Sequence, residues 1–184
     1  VQKEGDLFHL QRESKTSIGQ ISFFNGNFGV FIKAYLYFVL HGFYGLRKVS
    51  ENAVLNANYL KIKLSSLFKD PFKDRFCMHE FVLQADRFLD SKVKALDIAK
   101  RMLDYGIYAP TIYFPLIIKE CLLIEPTETE SKSTLDAFIQ IMEKIVEEAK
   151  NNPDLLRNAP LNTPVKRLDE VRAARNPILK HSIQ

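Results

Sequence analysis

Tryptophan is absent from this 184-residue chain, and glycine (7), histidine (4), methionine (3) and cysteine (2) are all scarce. The lack of tryptophan decides nothing, but the scarcity of cysteine, glycine and histidine excludes particular chemistries. Cys77 and Cys121 stand 44 residues apart, with no Cys-x-x-Cys pair and no nearby histidine pair, so neither a disulfide scaffold nor a zinc module can be built from them. Both lie in apolar, strand-like stretches and read as buried, reduced thiols of a cytoplasmic protein. The few glycines form no phosphate-cradling loop, and neither a Gly-x-Ser-x-Gly nor a His-Glu-x-x-His motif occurs. His9, His41, His79 and His181 are scattered.

Long hydrophobic runs are missing too. The longest, Phe28 to Leu40, contains Lys33 and falls short of the about 20 residues that cross a bilayer. The first residues have no apolar segment of the signal-peptide kind. There is no initiator methionine, so the chain is expected to begin inside a longer one.

Charge of one sign is also lacking until the tail. Lys and Arg number 26 and Asp and Glu 22; six of the basic residues and two of the acidic ones follow Leu156, so the first 156 residues balance at 20 against 20. The tail carries the whole +4 and has no aromatic residue, which argues against a nucleic-acid binder and for docking on an acidic surface.

What is present is the composition of a globular domain: 46% hydrophobic and 26% charged residues, with 14 Phe. Leu7, Phe8 and Leu10 suggest one short strand and Ile18 to Phe24 another, neither with a partner nearby. Asn25-Gly26-Asn27 is turn chemistry that also supplies a helix cap. Apolar residues then recur at helical spacing from Phe28, nearly all round the helix, until His41-Gly42 ends or kinks it. A second helix is expected from Tyr44 to Phe68, stopped by Asp70-Pro71.

Beyond this the pattern changes. Phe76 to Gln84 reads as a strand, and Ser91 as the cap of a helix that ends at Gly106. Thr111 to Phe114 and Cys121 to Ile124 read as strands; Thr127 with Glu130 reads as a capping box for a helix through Ala149. The expectation is an α+β fold, a long bent helical connector followed by a small antiparallel sheet with helices on one face. After Asn152 a proline-containing tail, with a short helix near Arg167 to Ala174, should wrap over a surface.

Candidate site residues follow from that layout. His79 and Glu80 fall mid-strand, where alternation points one inward and one outward, as a semi-buried histidine or as a cleft acid/base. Glu125, Thr127 and Glu128 either cap the following helix or line a substrate entrance held by Pro126. Thr111 and Tyr113 alternate with core residues, the tyrosine being a buried hydroxyl or a cleft group.

Five segments in order carry a resemblance: residues 26–60, CMHEFVL at 77–83, LDIAKRMLDYGIYAPTIYFPLI at 96–117, IEPTETESKSTLDAFI at 124–139, and NAPLNTPVKRLDEVRAARNP at 158–177. Together they resemble the C-terminal part of subunit 2 of the glycine cleavage P-protein, glycine dehydrogenase (decarboxylating), in its two-subunit form. The likeness runs from about Ser17 to Lys180.

The resemblance implies the C-terminal small domain of a pyridoxal 5'-phosphate enzyme of fold type I. Such an enzyme releases carbon dioxide from glycine and passes the aminomethyl group to the lipoyl arm of the H-protein, with subunit 1 as partner. It implies residues 1–24 as a remnant of the large cofactor domain, 25–70 as interdomain helices, 71–151 as the small domain and 152–184 as tail. It also places His79, Glu80, Thr111 to Phe114 and Glu125 to Glu128 near the cleft or lipoyl channel, with Asn25 and Asn27 at the interdomain helix. The family's cofactor lysine follows a histidine, and no lysine here does. This segment alone is therefore expected to bind no cofactor and to be inactive, and the apolar Phe28 to Val39 helix, with no large domain to cover it, is expected to make it self-associate or be poorly soluble. The other reading is a stand-alone α+β interaction module.

Overall fold

The computed structural model describes residues 1–11, 14–19 and 26–180. It divides into two compact units, Val1–Leu46 and Arg47–Gln184.

In the first unit, β1 (Gln2–Glu4) pairs antiparallel with β2 (Leu7–His9), Glu4 opposite Leu7. The strand expected at Leu7 therefore has its partner in the same segment. Gly5 opens the two-residue turn at φ +60, a conformation that suits glycine because it has no Cβ. The strand expected over Ile18 to Phe24 falls mostly outside the described residues, and Ile18 and Gly19 are not strand.

The helix α1 (Phe28–Leu64) starts in this unit, where Asn27 caps it: its Oδ1 accepts the Val30 N–H at 3.3 Å. The helix is interrupted at Gly42, whose φ of +58 and ψ of −175 are not helical. Before that break nearly everything is apolar and exposed, including Phe28, Phe31, Tyr35, Phe38 and Leu40. Counted as one element across that break, Phe28–Leu64 is long and apolar enough to cross a membrane by length and composition, with one exposed window of mean hydropathy 1.2. Core helices of soluble proteins meet the same measure.

The second unit holds the core. The last turns of α1 contribute Ala57, Leu60 and Leu64, and the helix ends at Leu64, four residues before the expected Phe68. Phe68 instead turns inward and meets Phe88 edge-to-face at 5.6 Å between centroids. Lys61 is buried beneath the turn that follows: its Nζ donates to the Phe72 carbonyl at 2.7 Å and lies 3.4 Å from Asp70. These partners offset the cost of burying its charge.

Next come β3 (Phe81–Gln84), a 3-10 segment (Asp86–Ser91), α2 (Ala95–Asp104), β4 (Thr111–Ile112) and β5 (Cys121–Ile124). The strands form one antiparallel sheet in the order β3-β5-β4. The chain closes with α3 (Lys132–Asn151), α4 (Pro153–Arg157) and α5 (Glu170–Arg175). Leu83 and Leu122 from the sheet, Ile98 and Met102 from α2, Met142 and Ile145 from α3 and Leu156 from α4 form one fully buried cluster. Each such side chain contributes about 1.5–3 kcal/mol.

The helix ends differ from expectation in instructive ways. Ser91 caps nothing; its hydroxyl donates to the Phe88 carbonyl. The orphan N–H groups of α2 go to Asp97, which accepts from Lys94 N–H at 2.8 Å, and to Glu120, which accepts from Ala95 N–H at 2.7 Å. Gly106 does take the place expected of it. At φ +73 it closes α2 with Gly106 N–H to Leu103 O and Ile107 N–H to Met102 O, the two bonds of a Schellman motif. Helix α3 is capped by Ser131, which accepts the Thr134 N–H at 3.2 Å, not by Thr127.

The tail docks on carboxylates of this same unit. Asp104 Oδ1 accepts the N–H groups of Leu161 and Asn162 at 2.6 and 2.7 Å. Arg167 meets Asp97 and also donates to the Ala159 and Leu156 carbonyls. Beyond it, α5 is fully exposed.

Candidate functional site

The second unit contains a cavity of about 770 Å³. Its walls are the loop from Gly106 to Thr111, the end of β5 with the loop from Glu125 to Glu130, and the Thr134 to Ile141 face of α3. Local sequence explains each wall. Gly106 turns the chain out of α2 so that Tyr108, Ala109 and Pro110 can form the rim before β4. Pro126 is buried and fixes the exit from β5. Asn56 on α1 then clamps the loop, donating from Nδ2 to the Thr127 carbonyl at 2.9 Å and to the Glu130 carbonyl at 3.2 Å.

Of the residues singled out from sequence, Glu80, Thr111, Glu125 and Thr127 line this one cavity. His79 stands at its edge, Nε2 4.0 Å from Glu125 Oε1. The expected strand position of His79 and Glu80 is not found. The strand begins at Phe81, both residues are exposed, and alternation does not separate them. One ligand atom from each of His79, Glu80 and Glu125 lies within 4.8 Å of the others.

The remaining candidates lie elsewhere. Glu128 is half-buried and does not line the cavity, and Asn27 serves as the cap of α1. Asn25 falls outside the described residues. Tyr113 follows β4 at φ +60 and does not line the cavity either. Burial, then the Glu120 carboxylate, pushes its hydroxyl above the ordinary tyrosine range. Glu125 and Thr127 do not cap α3, so the capping explanation for that run falls away.

Asn56, Tyr108, Thr134 and Phe138 were not marked by sequence. Tyr108-Ala109-Pro110 carried a signal, a turn-forming proline ahead of a strand. Asn56 carried none, because its partners lie more than 70 residues away.

The cavity's electrostatics are one-sided. Glu80, Glu125 and Glu130 reach it, and among the described residues no lysine, arginine or histidine lines it. Apolar Leu60, Ile107, Leu123 and Phe138 make up much of the rest, with the hydroxyls of Thr111, Thr127 and Thr134. Such a pocket suits an uncharged, partly apolar ligand or a cationic one. It does not fit pyridoxal 5'-phosphate, which needs a lysine for its aldehyde and donors for its phosphate.

The two thiols take no part. Cys121 is buried and Cys77 half-buried, both are free, and burial pushes both above the ordinary thiol range. Cys77 lies outside any strand; its N–H is held by Asn58 Oδ1 at 3.0 Å.

Residues 49–162, which hold this cavity, match the family described as "Glycine dehydrogenase, C-terminal domain". The chain belongs to that family. It is 52% identical over 182 residues to the probable glycine dehydrogenase (decarboxylating) subunit 2 of Fervidobacterium nodosum, covering 98% of this chain and 38% of that protein. The probable subunit 2 of Caldanaerobacter subterraneus is 55% identical over 180 residues, 98% of this chain and 37% of the relative. That of Staphylococcus aureus (strain MRSA252) is 53% identical over 180 residues, 98% and 36%. The chain thus spans little more than a third of the length of these relatives.

Proposed function

We propose that this chain is the C-terminal part of subunit 2 of a glycine dehydrogenase (decarboxylating), the P-protein of the glycine cleavage system. The observation that carries the reading is identity of 52–55%, over 98–99% of this chain, with proteins named for that subunit. In the whole protein, pyridoxal 5'-phosphate supplies the electron sink for loss of carbon dioxide from glycine. The aminomethyl group is then handed to the lipoylated H-protein. Subunit 1 is the structural partner, and the setting is cytoplasmic, which the two free thiols support.

Within that assembly we assign residues 1–24 to the edge of the cofactor domain, 25–70 to interdomain helices, 71–151 to the small domain of a fold type I enzyme, and 152–184 to its tail. The cavity behind Glu125 and Thr111 forms one wall of the cleft or lipoyl channel. Its lack of lysine and of basic residues among those described supports a cofactor held by other parts of the protein. The chain by itself is then inactive.

The test is reconstitution of the complete subunit with subunit 1 and lipoylated H-protein, assayed by exchange of the glycine carboxyl with bicarbonate. Exchange is expected, and is expected to fall in Glu125→Ala or Thr111→Val with cofactor absorbance retained. A complete reconstitution that shows no exchange overturns the reading, and so does exchange by this chain alone.

A further inference from the structure

We propose that His79, Glu80 and Glu125 form a binding site for one divalent transition-metal ion of the Zn²⁺ class, at the edge of the cavity. The inference stands on the juxtaposition of these three side chains just beyond the paired ends of β3 and β5 and is independent of the proposed decarboxylation.

The ladder of β3 and β5 ends with Phe81 opposite Ile124, and Glu80 and Glu125 are the residues next to that last pair. Like charges held this close repel each other. Among the described residues, neither carboxylate makes a hydrogen bond, and the one charged partner of either is His79, 4.0 Å from Glu125 and itself exposed. This arrangement places two carboxylates beside one imidazole, with no lysine or arginine ion-paired to them among the described residues.

A metal ion supplies the missing charge. Each of the three residues offers a ligand atom within 4.8 Å of the other two. Zinc bonds to nitrogen and carboxylate oxygen measure about 2.0–2.2 Å, so ligand atoms around a tetrahedral ion stand roughly 3.3 Å apart. All three residues are exposed, and rotation of their side chains would close that gap.

The backbone beneath them is held. Phe81 and Ile124 are buried ladder partners, and Asn56 with Pro126 fixes the loop after Glu125. One imidazole and two carboxylates favour Zn²⁺, Co²⁺ or Ni²⁺ over Mg²⁺, which takes an all-oxygen shell. Three protein ligands leave a fourth position for water. Binding ties the ends of β3 and β5 together.

The experiment titrates Co²⁺, Zn²⁺ and Mg²⁺ into the chain near neutral pH. It follows the visible absorption of bound Co²⁺ and the ring signals of His79 by NMR. One Co²⁺ ion should bind per chain, without the thiolate-to-metal absorption that Cys77 would produce, and Zn²⁺ should displace it. His79→Ala, Glu80→Gln and Glu125→Gln should each weaken binding at least about tenfold. His41→Ala should leave it unchanged, and circular dichroism should show every variant folded. The proposal is overturned by no binding to folded protein, by binding that survives His79→Ala, or by equal affinity for Mg²⁺ and Zn²⁺.

Discussion

Arg167 Nη2 lies 2.7 Å from Asp97 Oδ1, joining the basic tail to the first turn of α2. Asp97 is also the carboxylate that accepts the Lys94 N–H, so one buried side chain both caps α2 and anchors the tail. Arg167→Ala should leave Asp97 without its cation and free the Leu156 and Ala159 carbonyls. A loss of about 1–3 kcal/mol is expected, kept below the value for a fully buried pair because Arg167 is a third exposed. Urea denaturation measures it, and limited proteolysis should then cut after Asn158 sooner. Arg167→Lys should recover only part, because one ammonium cannot serve Asp97 and both carbonyls.

Acid should destabilise the second unit through Glu148 and Asp104. The Arg101 guanidinium, bonded to both oxygens of Glu148 at 2.8 and 2.9 Å, holds that carboxyl below its ordinary range. Burial pushes Asp104 up, but the Asn162 N–H, Arg101 and the Leu161 N–H together hold it below the usual value. A carboxyl depressed in the folded state contributes stability above its unfolded pKa and loses it as pH falls through the folded pKa. Urea midpoints should therefore be level above the ordinary carboxylate range and fall below it. In Glu148→Gln that fall should be shallower. An identical pH profile for the variant would contradict the assignment.

Removing the Asn56 clamp should loosen the cavity without unfolding the unit. Asn56→Ala deletes two hydrogen bonds to the loop, for about 1–2 kcal/mol. Amide exchange at Glu128 to Glu130 should rise while amides of β5 stay protected. Uniform acceleration across both would make Asn56 a general stability residue instead.

Apolar exposure on α1 before Gly42 predicts self-association. Phe28, Phe31, Tyr35 and Phe38 all face solvent, and a continuous patch of this kind marks a contact surface. Sedimentation should show mass rising with concentration, and Phe31→Glu with Phe38→Glu should return the chain to monomer. A monomer at every concentration would mean that this surface has no affinity for its own kind.

Gly106→Ala tests the Schellman turn at the cavity wall. A Cβ there meets nothing within 4 Å, so the cost is purely that of φ +73, about 1–2 kcal/mol. Thermal denaturation measures it directly.

Much of this architecture was legible along the chain. The presence of the long helical runs, the strand Cys121–Ile124 and the Gly106 terminator is legible, because each rests on local periodicity or local backbone conformation, while the helix ends differ. Errors came where two local signals competed. Thr127 reads as the cap of α3, but the cap is Ser131, at the end of a loop held by Asn56. His79 and Glu80 looked like strand residues because apolar neighbours follow them, yet the ladder starts at Phe81. The partner of β2 was missed because the two-residue turn at Gly5 was overlooked.

The sequence by itself determined the family and the apolar periodicities, since both are properties of order along one chain. Tertiary structure decided which distant groups meet. It brings Glu120 to the start of α2, Asn56 to the loop after β5, Arg167 to Asp97, and Glu80 and His79 to Glu125. Those meetings depend on strand register and on how α1, α2 and α3 close over one core. No local propensity carries that information, because burial rewards it only after the chain has folded.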